Sequence, residues 1–286
     1  MAYDLIVVKQ KWYKNKIFIV SLVLLAIVIL LSLTFFIVHV NRNSKNNISK
    51  ISEKQAAEHV YNFNRNIEIT DEIKNRMNNL YSSEEKRVFL TFDDGPSKKV
   101  TIPILDLLKQ ENIKATFFTL GSRIEFYPEI VEREYKEGHY VANHGYSHNY
   151  SSIYSSTNAV LDEYNKTEQL IKNAIGDQNY SSHLFRFPGG SKGGRYRDIK
   201  NETINVLNEN NILYVDWNAL NGDSEGKKTR EEMMQYLKET IGNKQTVVIL
   251  MHDAGDKTLT YEMLPEVIAY LREQGYSFKN FYDVIK

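Results

Sequence analysis

Two kinds of hydrophobic patterning divide the chain. Residues 17–40 form one apolar run, interrupted only by Ser21, Ser32, Thr34 and His39. As a helix rising about 1.5 Å per residue, that run is long enough to cross a hydrocarbon core of about 30 Å. Lys9, Lys11, Lys14 and Lys16 precede it, while Arg42 and Lys45 follow. This basic bias predicts a cytoplasmic N-terminus and the rest of the chain outside a cell membrane crossed once. No small-x-small site follows the run, which favours an uncleaved anchor over a secretory signal peptide. Residues 41–55, rich in Asn, Ser and Lys, read as a tether, and residues 56–83 leave room for one or two short helices.

From residue 86 the pattern alternates. Short β-rich runs at 87–92, 115–120, 140–143, 184–187, 213–217 and 247–251 are separated by helical periodicity at 102–110, 128–136, 158–175, 204–211, 230–241 and 261–273. Strands alternating with helices predict an α/β domain with a parallel sheet and crossover connections. Six or seven such units suit a small or distorted (β/α) barrel, or an open doubly wound sheet. Both architectures carry their chemistry at the C-terminal ends of the strands. The predicted organisation is a cytoplasmic segment 1–16, a transmembrane helix 17–40, a linker 41–84 and an α/β domain 85–286.

Composition narrows the chemistry. The chain carries 36 basic and 36 acidic residues, so no global field draws it to nucleic acid. It has no cysteine, so a disulfide scaffold and a thiolate metal site are excluded, and a metal would rest on His, Asp or Glu.

Four polar constellations follow predicted strands. Thr91-Phe92-Asp93-Asp94-Gly95-Pro96 sets two adjacent carboxylates at a strand end. Neighbouring side chains diverge, so one can bind a metal while the other takes a proton; an Asp-Gly-Pro turn is the plain alternative. His144-Gly145-Tyr146-Ser147-His148 spaces two imidazoles four residues apart, which on a helical turn would let them share a cation. Arg186-Phe187-Pro188-Gly189-Gly190 ends a strand in a turn whose backbone can approach a ligand and donate N–H groups. The apolar run 248–251 delivers His252 to a further strand end.

Together these stretches resemble the NodB-type polysaccharide deacetylases of carbohydrate esterase family four, and the likeness extends over residues 85–286. The resemblance implies a distorted (β/α) barrel that hydrolyses N-acetyl groups of amino sugars. It makes Asp93 the catalytic base, Asp94, His144 and His148 the metal ligands, and Arg186 the residue that orients Asp93. It makes the Gly189 N–H an oxyanion donor and His252 the general acid. Leu250 would line the acetyl pocket, Trp217 would border the substrate, and Phe118 and Gly121 match a second strand usual in the family. One oxygen and two nitrogen ligands suit Zn²⁺ first, with Co²⁺ or Ni²⁺ as alternatives.

Three departures stand out. Gly189 occupies a position that is usually Tyr, and Gly145 one that is usually Ser or Thr, with Ser147 able to supply the lost hydrogen bond. The supporting carboxylate could come from Asp216 or Asp223, and register from Trp217 favours Asp223. An external, tethered enzyme of this kind points to peptidoglycan N-acetylglucosamine. Alternatives are chitin, poly-N-acetylglucosamine, or an O-acetyl or xylan ester on the same fold. A wall-binding pseudoenzyme would require a lost catalytic group, and Asp93, Asp94, His144, His148 and His252 are all present.

Overall fold

The computed structural model describes residues 67–285, together with Ser32, Thr34, Val38 and His39, which are helical. The predicted anchor 17–40 otherwise lies outside the described residues. Among the described residues no helix is long and apolar enough to cross a membrane.

Among the described residues eight strands form one sheet: β1 (Arg87–Asp93), β2 (Thr116–Thr119), β3 (Tyr140–Asn143), β4 (Leu184–Phe185), β5 (Leu213–Tyr214), β6 (Ala219–Leu220), β7 (Thr246–His252) and β8 (Ser277–Lys279). Their order is β5-β4-β3-β2-β1-β7-β6, and every pairing is parallel. β1 has β7 along its whole length on one side. On the other it pairs with β8 through Arg87–Phe89 and with β2 through Thr91–Asp93. The helices are α1 (Asp71–Asn78), α2 (Thr101–Gln110), α3 (Gly121–Ile124), α4 (Pro128–Lys136), α5 (Tyr150–Ile153), α6 (Thr157–Ile175), α7 (Arg197–Glu209), α8 (Arg230–Ile241) and α9 (Thr258–Glu273).

Alternation along β1 and β7 explains both faces. Val88, Leu90 and Phe92, with Val247, Ile249 and Met251, pack under α2, α8 and α9 through residues such as Ile104, Leu237 and Leu264. Phe89 and Val248 face the other way, into a second core with Phe118, Leu184, Leu213 and Phe281. A strand buried on both faces reads as a continuous apolar run, which is why β1 and β7 stand out in the sequence.

The expected barrel is a curled parallel sheet, a half-barrel whose end strands β5 and β6 do not pair. The predicted strand 213–217 stops at Tyr214, and its remainder straps the seam. The Val215 N–H donates to the Phe185 carbonyl at 3.2 Å, and the Asn218 N–H donates to that of Val248 at 3.1 Å. The predicted strand 184–187 likewise ends at Phe185: the Arg186 N–H still donates to the Asn143 carbonyl at 3.0 Å, and the turn after it leaves the ladder for the site. β6, β8, α3 and α5 are too short to carry a periodic signal, and α7 begins at Arg197 rather than 204.

Residues upstream of β1 fill the sheet's concave side. Thr70 caps α1 by accepting the Ile73 N–H at 3.3 Å. Ile69, Ile73, Met77 and Leu80 are then buried against Phe89, Phe118, Val248 and Phe281. Phe89 precedes Asp93 by four residues on the same face of β1, so this plug supports the strand that carries the first carboxylate. Leu80→Ala is expected to cost about 2–5 kcal/mol, the range for emptying a fully buried leucine site. Urea unfolding would measure it; a stability equal to wild type would mean that 67–84 is only a linker.

Candidate active site

The polar strand ends converge. Asp93, the last residue of β1, is buried, and its Oδ1 accepts from Arg186 Nη1 at 2.8 Å. Arg186 is itself fully buried. It also donates to Thr91 Oγ1 at 2.7 Å and to the Val215 carbonyl at 3.1 Å, and its guanidinium lies 3.9 Å from the centre of the Phe118 ring. Burial pushes the Asp93 carboxyl above its ordinary value, against the opposing pull of Arg186. Asp93 therefore has the character of a proton acceptor held on a rigid strand.

Asp94 leaves that strand in the left-handed region, with φ +73°. That conformation is uncommon outside glycine, though Asp tolerates it better than most residues. It turns the second carboxylate away from the first. Asp94 Oδ1 stands 3.5 Å from His144 Nε2 and 3.4 Å from His148 Nε2. Gly95 must be glycine here, because a Cβ would run into the carboxylate of Asp253.

The two histidines meet by a different route from the helical turn expected. The segment 144–148 is a loop in which Gly145 has φ +78° and His148 φ +54°, and it brings the ring centroids to 5.4 Å. Glu163, from α6, holds that loop. Its carboxylate accepts the N–H groups of Tyr146 and Ser147, each at 3.0 Å, and the Ser147 hydroxyl at 2.5 Å. The Gly121 N–H donates to the Gly145 carbonyl at 3.0 Å from the other side. His144 Nδ1 lies 2.8 Å from the Arg186 carbonyl, so Nδ1 carries the proton and the Nε2 lone pair faces Asp94. Burial drives the His144 pKa down to about 3, which keeps the ring neutral as a ligand must be.

Asp94, His144 and His148 each offer one ligand atom within 4.8 Å of the others. Two ligands about 2.1 Å from a tetrahedral ion stand about 3.4 Å apart, close to the separations here. Asp94 Oδ1 is buried and, among the described residues, has no hydrogen-bond partner. A buried, orphaned carboxylate oxygen facing a lone pair is costly unless a cation sits between them. The residues present therefore fit a divalent metal.

On the opposite side, His252 ends β7 with Nε2 4.0 Å from Asp94 Oδ2. Its Nδ1 is 2.7 Å from Asp223 Oδ1, while Asp223 Oδ2 accepts the His252 backbone N–H at 2.8 Å and the Thr260 hydroxyl at 2.7 Å. Burial alone would lower the His252 pKa. The Asp223 hydrogen bond and charge, joined by Asp93 and Asp94, outweigh it and lift the value to about 9. Asp216 serves elsewhere, accepting from the Ser191 N–H at 2.9 Å and the Ser191 hydroxyl at 2.6 Å.

Gly189 and Gly190 both have positive φ, at +71° and +78°. Their turn is pinned by Tyr154 Oη to the Pro188 carbonyl at 2.7 Å and by Lys200 Nζ to the Gly190 carbonyl at 2.6 Å. The Gly189 N–H makes no hydrogen bond among the described residues. Leu250 is buried on β7 in register with Thr91. Trp217 is half-buried on the seam strap, its ring 5.8 Å from the Arg186 guanidinium.

Two residues here escaped the sequence. Glu163 has no local signal, since its partners lie on a distant loop. Asp253 follows His252 directly but reads as an ordinary turn residue. It is buried, bonded to Thr101 Oγ1 at 2.6 Å, and lifted to about 7 by burial, with Asp94 and Asp93 adding to the effect.

Comparison with known proteins agrees with this geometry. Residues 81–215 match the family described as polysaccharide deacetylase. A peptidoglycan-N-acetylglucosamine deacetylase of Bacillus cereus is 33% identical over 205 residues, 70% of this chain and 71% of that protein. Two further curated relatives have 66% and 37% of their length spanned by the chain. The catalytic domain of a peptidoglycan N-acetylglucosamine deacetylase from Eubacterium rectale superposes with a TM-score of 0.62 at 32% identity, over 68% of this chain and 88% of that one. A CE4 esterase from Streptococcus mutans gives 0.64 at 34% identity, over 73% and 89%. With the strand-end carboxylates, the paired histidines and the Arg-Phe-Pro-Gly-Gly turn assembled on one edge of a curled parallel sheet, and with relatives of this identity and coverage, the chain belongs to the polysaccharide deacetylase family of hydrolases.

Proposed function

We propose that this protein removes N-acetyl groups from the N-acetylglucosamine of peptidoglycan in a metal-dependent reaction. The observation that carries the reading is the orphaned Asp94 Oδ1 facing two imidazole nitrogens, with a free backbone N–H and a charged His–Asp pair arranged around it. The names of the relatives support the substrate, and the apolar run 17–40 supports an anchored enzyme acting outside the cell.

Asp94, His144 and His148 would hold the ion; Zn²⁺, Co²⁺ and Ni²⁺ all accept such a donor set. When bound, a divalent cation polarises the acetamide carbonyl and makes water a competent nucleophile at neutral pH. Asp93, buried and oriented by Arg186, takes the proton of the attacking water at its carboxylate. The Gly189 N–H donates to the oxygen on which negative charge develops. Loss of one such donor typically costs about 2.7–4 kcal/mol of transition-state stabilisation. His252, protonated and held by Asp223, gives its proton to the departing amine. The products are acetate and a glucosamine unit left in the glycan.

The test is acetate release and mass spectrometry of purified wall glycan treated with the protein. Chelation is expected to abolish release, and added Zn²⁺, Co²⁺ or Ni²⁺ to restore it. Undiminished activity in metal-free protein would overturn the metal reading. Release confined to O-acetylated glycan would make the protein an esterase.

A further inference from the structure

Gly189 is crowded in the one direction a side chain would take. A Cβ there would lie 2.5 Å from the hydroxyl of Tyr150 and 3.1 and 3.3 Å from its ring carbons. Tyr150 opens α5, two residues after His148, and the two ring centroids are 5.4 Å apart. Its other flank rests on Tyr154, at 5.9 Å between centroids, and Tyr154 is anchored through its hydroxyl to Pro188. The ring is thus braced on two sides, yet 40% of the residue remains open to solvent. Its hydroxyl makes no hydrogen bond among the described residues, and neither does the adjacent Gly189 N–H. Two free donors, one backbone and one phenolic, therefore stand side by side at the edge of the Asp94, His144 and His148 cluster.

We propose that Tyr150 is a substrate-positioning contact: its hydroxyl hydrogen-bonds the N-acetylated amino sugar seated at the metal cluster, and glycine at 189 is what admits it. A braced phenol with an unused hydroxyl suits a sugar, whose polar groups need partners and whose ring face accepts an aromatic neighbour. A larger residue at 189 would expel Tyr150 from the mouth, so the two positions act as a pair.

The inference rests on the deacetylase reading, and the experiment separates the two. Steady-state kinetics on a soluble N-acetylglucosamine oligomer are measured for metal-loaded wild type, Tyr150→Phe and Tyr150→Ala, with metal content determined for each. Tyr150→Phe keeps the ring beside His148, so its metal content is expected to equal wild type while kcat/KM falls about tenfold or more, chiefly through KM. Tyr150→Ala should lose at least as much. Gly189→Ala should then cost less in the Tyr150→Ala background than alone, because the collision is gone. Wild-type kinetics in Tyr150→Phe, or losses that track loss of metal, would overturn the role of Tyr150 and leave the deacetylase reading standing. A metal-loaded wild type that releases no acetate would overturn both.

Discussion

Asp93→Asn is expected to retain its metal and lose turnover by about 10²-fold or more, the usual scale for a general base. Asp94→Asn is expected to lose the metal itself. The two residues are neighbours in sequence but diverge in space. Asp93 Oδ1 is committed to Arg186 at 2.8 Å, whereas Asp94 Oδ1 faces His144 and His148 at 3.5 and 3.4 Å. Asparagine at 93 can still accept from Arg186, so the buried guanidinium keeps a partner, but the proton acceptor is gone. Asparagine at 94 replaces a charged ligand with a neutral one at the point where the only carboxylate of the cluster sits. Metal analysis of both purified variants beside wild type, with folding checked by circular dichroism, separates the roles. Metal lost from Asp93→Asn and kept in Asp94→Asn would reverse them. Metal and activity kept in both would make the pair structural and remove the mechanism.

The second large effect concerns His252. His252→Ala should lower kcat by about 10²–10⁴-fold, the span for a general acid, with metal content unchanged because His252 is not among the three ligands. Asp223→Asn tests the cause of its protonation. In the wild type His252 stays charged up to about pH 9. Its acid form is thus present at neutral pH, and activity should fall as pH rises past that value. Without the Asp223 charge, burial is opposed by less, so the alkaline limb of kcat should move to lower pH. An unmoved limb would separate that limb from His252. Stability follows the same sign. The folded-state pKa of about 9 lies above the ordinary 6.5, so the pair's contribution is complete below about pH 6.5 and is lost as pH climbs through 9. The Asp223 carboxyl is held below its ordinary 3.8: burial would raise it, but His252 outweighs that. Its share is therefore present above about pH 3.8 and lost on further acidification.

Much of the candidate site could be read directly from the chain because its members sit where strands end. Asp93, Asp94, His144, Arg186 and His252 each follow an apolar run, and in a parallel α/β sheet such positions share one edge. The alternation of strand and helix sufficed for fold class for the same reason: β1 and β7 are buried on both faces, and their interiors are apolar apart from Thr91. Local spacing misjudged the histidine pair, because left-handed backbone at Gly145 and His148, rather than a helical turn, brings the rings together. The short strands β6 and β8 were invisible, since two or three residues carry no period. Register from Trp217 favours Asp223 over Asp216, and Asp223 is the one that meets His252. Both lie in the same loop-rich stretch, and the crossing of the 215–218 strap over the seam sends one to Ser191 and the other to His252. Glu163 and Tyr150 acquire their partners in the same way, through contacts between elements whose register no single segment encodes. Residue types and strand-end positions are local properties, so the chain states them outright. Which side chain meets which across the sheet's mouth depends on backbone paths that exist only once every strand and loop is packed.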